Sequence, residues 1–148
     1  MMINVKHGSK ESGQSLLEFS VSMVFVLILL AGLVDLGRGL FTYMALRDAA
    51  QEGAAYGSIN PTATSTIEDR VFGSSTMLQS LRDQFGSDAP IDIQVNIIGS
   101  SCTGNGIELV VTYEDFALSM PFVGAFLGSQ TVDISAAAAN TILSPKCE

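Results

Sequence analysis

SGQSLLEFSVSMVFVLILLAGLV, residues 12–34, decides the architecture of this chain. From Leu16 to Val34 only Glu18, Ser20 and Ser22 interrupt an apolar run. About 20 residues at 1.5 Å rise cross a hydrocarbon layer ~30 Å thick, so the run is long enough to span a bilayer. Lys6, His7 and Lys10 precede it. By the positive-inside tendency the N-terminus stays in the cytoplasm and everything beyond Val34 is exported. A removable signal peptide is the rival reading. It needs a shorter apolar core, about 7–15 residues, and a small-x-small cleavage site; here Leu29 stands two places before Ala31. The helical pattern also runs on past the membrane edge. Leu33, Leu36, Leu40, Tyr43 or Met44, Ala50, Ala54 and Gly57 recur at three- and four-residue steps, and the first proline is Pro61. Residues 14–57 are therefore expected to form one helix roughly 66 Å long, with its lower half in lipid at 16–34 and its upper half outside.

The remaining composition sets limits on function. The chain has 148 residues, enough for one small domain plus an appendage. It is 47% hydrophobic and 15% charged, with mean hydropathy +0.39, and the apolar excess is concentrated in the helix. Of the formal charge of −8, residues 58–148 contribute −7, with ten acids against Arg70, Arg82 and Lys146. Phosphate backbones require basic patches, so nucleic acid is not an expected partner. Cys102 and Cys147 belong to no C-x-x-C pair, which argues against a zinc site. They are either one disulfide in an oxidising compartment or two thiols. The only histidine is His7. With no G-x-S-x-G, metal-ligand cluster or phosphate loop, no catalytic residue, metal or cofactor is expected, and the chain is not read as an enzyme.

The upper half of the long helix, YMALRDAAQEGAAYGS, has a polar face (Arg47, Asp48, Gln51, Glu52) and a small face (Ala45, Ala49, Ala50, Gly53, Ala54). Small residues let another backbone approach closely. That backbone belongs either to the chain's own distal domain or to a neighbouring subunit. Beyond Asn60-Pro61, Ser65 with Glu68 has the capping-box spacing. Ile67, Val71, Leu78, Leu81 and Phe85 then predict an amphipathic helix over 66–85, which Gly73-Ser74-Ser75 is placed to interrupt. Alternation at Ile91, Ile93, Val95 and Ile97, and again at Ile107, Leu109, Val111 and Tyr113, predicts a β-hairpin around the loop 99–106. TVDISAAAANTIL (131–143) reads as a third strand, although its alanines also suit a helix. The apolar FALSMPFVGAFLG (116–128) is expected to be a buried connection over the sheet, in preference to a membrane-inserted loop. The fold class is thus α+β: a long N-terminal transmembrane helix, a second short helix and a small antiparallel sheet of about three strands. An antiparallel third strand would end beside the loop that carries Cys102. Cys147 could then close a loop of about 45 residues, contributing on the order of 3–4 kcal/mol.

Glu18 is the anomaly. A charge inside a spanning helix costs about 2.5–3.5 kcal/mol at the centre and is a functional candidate by default. The plain alternative is that it snorkels to the headgroups. Its neighbours argue for function: Gly13 stands five places before it, Phe19 follows it, lysines lie behind and an unbroken apolar helix lies ahead. The pattern resembles the class III signal of type IV pilin-like proteins. More closely, GQSLLEF…LLAGLVDLGRGLF…ALRDAAQEGAAYG (13–57) is similar to the TadE-like pseudopilins, minor pilins of the tight-adherence (Tad/Flp) pilus. PFVGAFLGSQTVDISAAAA (121–139) resembles the end of that family's distal domain. The leader departs from the commonest family pattern in carrying lysines where arginines stand.

The resemblance implies a cytoplasmic leader at 1–13 and an extracytoplasmic pilin-like domain at 58–148. A prepilin peptidase would cut between Gly13 and Gln14, where glycine leaves an extended backbone unobstructed. Glu18 would become the fifth residue of the mature chain and meet the new α-ammonium of Gln14 on a neighbouring subunit, because a buried charge is tolerable only when paired. Other pilin subunits, an assembly platform and a secretion ATPase are the implied partners. The implied location is the inner membrane, single-pass, and the cell surface after assembly; the large distal domain favours a minor subunit. The competing function is a signal-anchored exported adhesion or binding module that never assembles. Asp35 and Arg38, spaced i, i+3 at the outer membrane edge, read either as an intrahelical ion pair or as a contact between packed subunits.

Overall fold

The computed structural model describes residues 11–121 and 123–146. Its dominant element is α1, Glu11–Gly57, 47 residues without a break. At 1.5 Å per residue it is about 70 Å long. It ends where Ser58, Ile59 and Asn60 donate their N–H groups back to the carbonyls of Ala54 and Tyr56, one turn before Pro61. Two helices follow, α2 (Thr64–Gly73) and α3 (Thr76–Phe85), then a 3₁₀ turn at Gly86–Asp88. The sheet comprises β1 (Ile91–Ile98), β2 (Gly106–Ala117) and β3 (Thr131–Thr141), ordered β1-β2-β3 and antiparallel throughout. A five-residue helix, α4 (Val123–Leu127), lies in the β2–β3 connection. The α+β layout expected from the sequence is the one observed.

The helix foreseen over 66–85 is interrupted at the Gly73-Ser74-Ser75 stretch singled out for it, giving two helices with the break at Ser74-Ser75. Ser75 has extended backbone, and its side chain accepts the Leu78 N–H at 3.2 Å, capping α3. The capping box expected at Ser65 does not form. Helix α2 begins two residues earlier, at Thr64, and its N-cap position is Ala63, with no side-chain cap. The difference lies upstream: Ala63 N–H donates to Asn60 carbonyl, and Ala63 carbonyl in turn receives the N–H groups of Thr66 and Ile67. The turn after Pro61 thereby starts the helix before Ser65 can act as cap. At the other end of α3, Gly86 takes φ +62°, where a side chain would be strained.

The core lies between one face of the sheet and the upper half of α1, with α2 and α3 closing the side. Leu46, Ala49, Ala50 and Ala54 of α1 are buried against Ile67, Val71, Leu78, Ile107, Leu109, Val111 and Ala136. The small face of the helix therefore packs on the chain's own distal domain. At Gly53 an added Cβ would collide with Leu109 and lie 2.7 Å from Val71 Cγ2; at Gly57 it would lie 2.6 Å from Ile107 Cδ1. These two glycines are required by close approach. The same demand explains β3: Val111 pairs with Ala136 and Leu109 with Ala138. A strand this near the helix needs short side chains, so tertiary packing overrides the helical propensity of the alanine run.

The ladder between β2 and β3 is irregular between Tyr113 and Phe116, and Asp115 has φ +55° there. The bulge is held by Asp115 N–H donating to Asp133 Oδ1 (3.0 Å) and by the Thr131 hydroxyl donating to Asp115 Oδ1 (3.0 Å). One extra residue turns Phe116 onto the helix-facing side, where it is buried and meets Tyr113 edge-on at 5.9 Å. The segment beyond it contradicts the expectation of a buried connection. Helix α4 contains no buried residue, and Phe126 is 89% exposed. Ser119 and Met120 instead lie against α1, at Asp35 and Gly32.

Candidate functional site

Two places on α1 hold the charged residues singled out from the sequence. The lower is the first turns of the helix. Gly13 and Gln14 are helical and exposed, and a Cβ at Gly13 would meet nothing. The bond between them thus lies in a helical turn, not in the extended conformation expected of a cut site. Gln14 Nε2 donates to Glu18 Oε1 at 3.3 Å. Among the described residues no ion pair involves Glu18. Glu18 and Phe19 both face outward, Phe19 at 66% exposure. The two serines in the apolar run return their hydroxyls to the helix: Ser20 Oγ donates to Leu16 carbonyl (2.8 Å) and Ser22 Oγ to Glu18 carbonyl (2.9 Å). All the large side chains from Leu16 to Val34 but the half-buried Ile28 are exposed, as a lipid- or helix-facing surface requires. Among the described residues one helix, α1, is long and apolar enough to cross a membrane, with mean hydropathy 2.5 over its most apolar 18 residues.

The upper place is built around Asp35, whose side chain is 7% exposed on a helix otherwise open at this height. Its carboxylate accepts the Ser119 N–H at 2.9 Å and the Met120 N–H at 2.6 Å. Arg38 Nη1 lies 3.5 Å from Asp35 Oδ1 and donates to Ser119 Oγ at 2.9 Å. The guanidinium also sits 5.0 Å above the Phe116 ring. The Ser119 N–H is the main reason the Asp35 carboxyl is held below its ordinary value of 3.8; burial opposes, and the Met120 N–H, the Ser119 hydroxyl and Arg38 add to the lowering. So the intrahelical pair forms, but its larger part is a tie to a loop more than 80 residues away in sequence. Just above lies a shallow apolar groove of about 400 Å³ between α1 and the β2–β3 hairpin, floored by Leu36, Leu40, Val132 and Ile134.

Sequence reasoning missed Ser119, Met120 and Phe116. The first two act through backbone N–H groups, which leave no side-chain signature. Phe116 had a signal: after Ile107, Leu109, Val111 and Tyr113, the next large apolar residue is three places on instead of two, the parity break of a bulge.

At the other end of the domain, the close of β3 meets the loop 99–106. Thr103 N–H and Oγ1 both reach Pro145 carbonyl at 2.9 Å, and Gly104 N–H reaches Ile142 carbonyl. Cys102 is disulfide-bonded. Cys147 lies outside the described residues, as do Lys6, His7 and Lys10. Among the described residues no group of three or more His, Cys, Asp or Glu is placed to hold a metal ion.

Comparison with known proteins bears on the long helix alone. Residues 13–55 match the family model described as TadE-like protein. The match stops within α1, so the likeness noted at 121–139 lies outside it. No curated protein and no solved structure matches the chain.

Proposed function

We propose that this chain, TadE-like over residues 13–55, is a pilin-like structural subunit of a tight-adherence pilus. In this reading it is held in the inner membrane by 16–34, cut between Gly13 and Gln14 by a prepilin peptidase, and assembled through α1. The observation that carries the reading is the division of one unbroken helix into two environments. Its lower half exposes all its large apolar side chains but the half-buried Ile28, while its upper half buries Leu46, Ala49, Ala50 and Ala54 in an α+β domain. A subunit that leaves the bilayer for a helical bundle needs an apolar half that is complementary to lipid and to its neighbours in turn.

Glu18 gives that bundle a register. Its sole hydrogen-bond donor among the described residues is the exposed Gln14 amide at 3.3 Å. Cleavage after Gly13 would create an α-ammonium at Gln14, and a neighbour's ammonium would offset the charge that this amide leaves uncompensated. Processing requires the first turn around Gly13 to unwind into a peptidase site. Glycine has the lowest helix propensity after proline, and with Ser12 beside it this turn opens at small cost. A Cys102–Cys147 bond, clamping the end of β3 to the loop 99–106, completes the proposed exported domain. The large domain suits a minor subunit that initiates or caps.

The test is mass spectrometry of the N-terminal peptide of the native chain from its own membrane. A peptide starting at Gln14 supports the reading. An intact leader overturns processing and favours a signal-anchored module that does not assemble.

A further inference from the structure

We infer that the tip of the β2–β3 hairpin, residues 118–121 and 123–130 around α4, is a second membrane contact that rests in the outer interface of the bilayer beside the spanning helix. The inference rests on the reading of 16–34 as a membrane span.

Four observations place the tip there. The first is height. Strand β2 descends along α1 from Ile107 beside Gly57 to the level of Asp35, where Ser119 and Met120 are tied to the carboxylate. Met120 reaches lower still: its Sδ lies 3.4 Å from where a Cβ on Gly32 would stand, inside the predicted span and about 4.5 Å below Asp35. The second is chemistry. No charged residue occurs between Asp115 and Asp133, in a domain that is otherwise strongly acidic. The third is exposure. No residue of α4 is fully buried, and Phe126 and Leu127 stand 89% and 63% exposed, an arrangement that water disfavours and that the headgroup–acyl boundary accepts.

The fourth is the backbone. Unpaired N–H and C=O groups are costly in the low-dielectric edge of a bilayer. Here the Gln130 side chain closes the tip from within. Its Nε2 donates to the carbonyls of Leu118 and Met120 at 2.9 Å each, and its Oε1 accepts the Gly124 N–H at 3.1 Å. Gly128 N–H returns to Gly124 carbonyl, and Leu118 N–H to Gln130 carbonyl.

With α1 crossing the membrane and the tip resting on it, the exported domain has two points of support. It is then held at fixed height and rotation before any neighbour arrives. The Asp35 node joins the two supports.

The chain contains no tryptophan, so single Trp variants report one site each. The full chain is reconstituted at low protein-to-lipid ratio in phosphatidylcholine vesicles, with and without bromine on the acyl chains. Phe126→Trp is compared with Phe25→Trp in mid-span and with Ile59→Trp at the far end of the domain, both exposed positions. Phe126→Trp is expected to emit at shorter wavelength than Ile59→Trp and to be quenched by brominated lipid, as Phe25→Trp is. An unquenched, water-like Phe126→Trp beside a quenched Phe25→Trp overturns the inference and leaves the span intact. A blue-shifted Phe126→Trp that bromine does not quench overturns it in favour of cover by another copy of the chain. An unquenched Phe25→Trp removes the span and the inference with it.

Discussion

Gly53→Ala tests whether the small face of α1 is reserved for the chain's own domain. A methyl at this position would collide with Leu109 and stand 2.7 Å from Val71 Cγ2 and 3.5 Å from Ile67 Cγ2. All three neighbours are fully buried, and Val71 is β-branched and stiff, so none can swing into solvent. Relief requires α2 and β2 to move away from α1. Overpacking of this kind costs about 1–3 kcal/mol. Against it stands the gain from replacing glycine in a helix interior, about 1 kcal/mol. The net effect is a loss of roughly 0–2 kcal/mol. Gly37→Ala on the same helix isolates the steric part, because a Cβ there meets nothing and only the propensity gain remains. The two variants should differ by about 1–3 kcal/mol, which for a domain of 60–100 residues is at least about 4 °C in Tm. Thermal unfolding of the full chain in detergent, followed by near-ultraviolet circular dichroism, gives this difference. It should not depend on protein concentration. A Gly53→Ala chain as stable as Gly37→Ala would refute the packing, and a deficit seen only at concentrations that allow assembly would assign the face to subunit contacts.

Further outcomes follow from the other sites. Because the Asp35 carboxyl is held below 3.8 in the folded chain, its contribution to holding the hairpin tip is fully present above that pH and fades as pH falls through the lowered value. Amide exchange at Ser119 and Met120 should therefore stay protected from neutral pH to about 4, and Asp35→Ala should abolish that protection at every pH; unchanged protection in the variant would dissolve the tie. Ser75→Ala should cost about 1 kcal/mol through loss of the α3 cap. Ser65→Ala, where no cap forms, should fall within about 0.5 kcal/mol of the parent in urea titrations; equal costs would contradict the cap assignment. Glu18→Gln keeps shape and removes charge, so membrane insertion should persist while fibre yield falls, and normal fibres seen by electron microscopy would remove the register role.

Residues 14–57 were legible as one helix without any coordinates, since hydrophobic period, length and the late first proline are all local properties and a spanning segment hydrogen-bonds within itself. The strands at 91–97 and 107–113 were equally plain, because alternation records which side faces a core even when the core is unknown. What needed tertiary structure were the choices in which two local readings are equally good. The alanines of β3 suit helix or strand until α1 lies against them. Ser65 and Ser75 are both sound caps until the turn after Pro61 uses the first site. The helix carries Asp35 and Arg38 as an ordinary i, i+3 pair, yet the partners that bury Asp35 are two backbone amides that no residue type announces. Local preference is written in each residue, whereas long-range contact depends on where the chain returns, and for this protein that return is the descent of β2 along α1 to the level of Asp35.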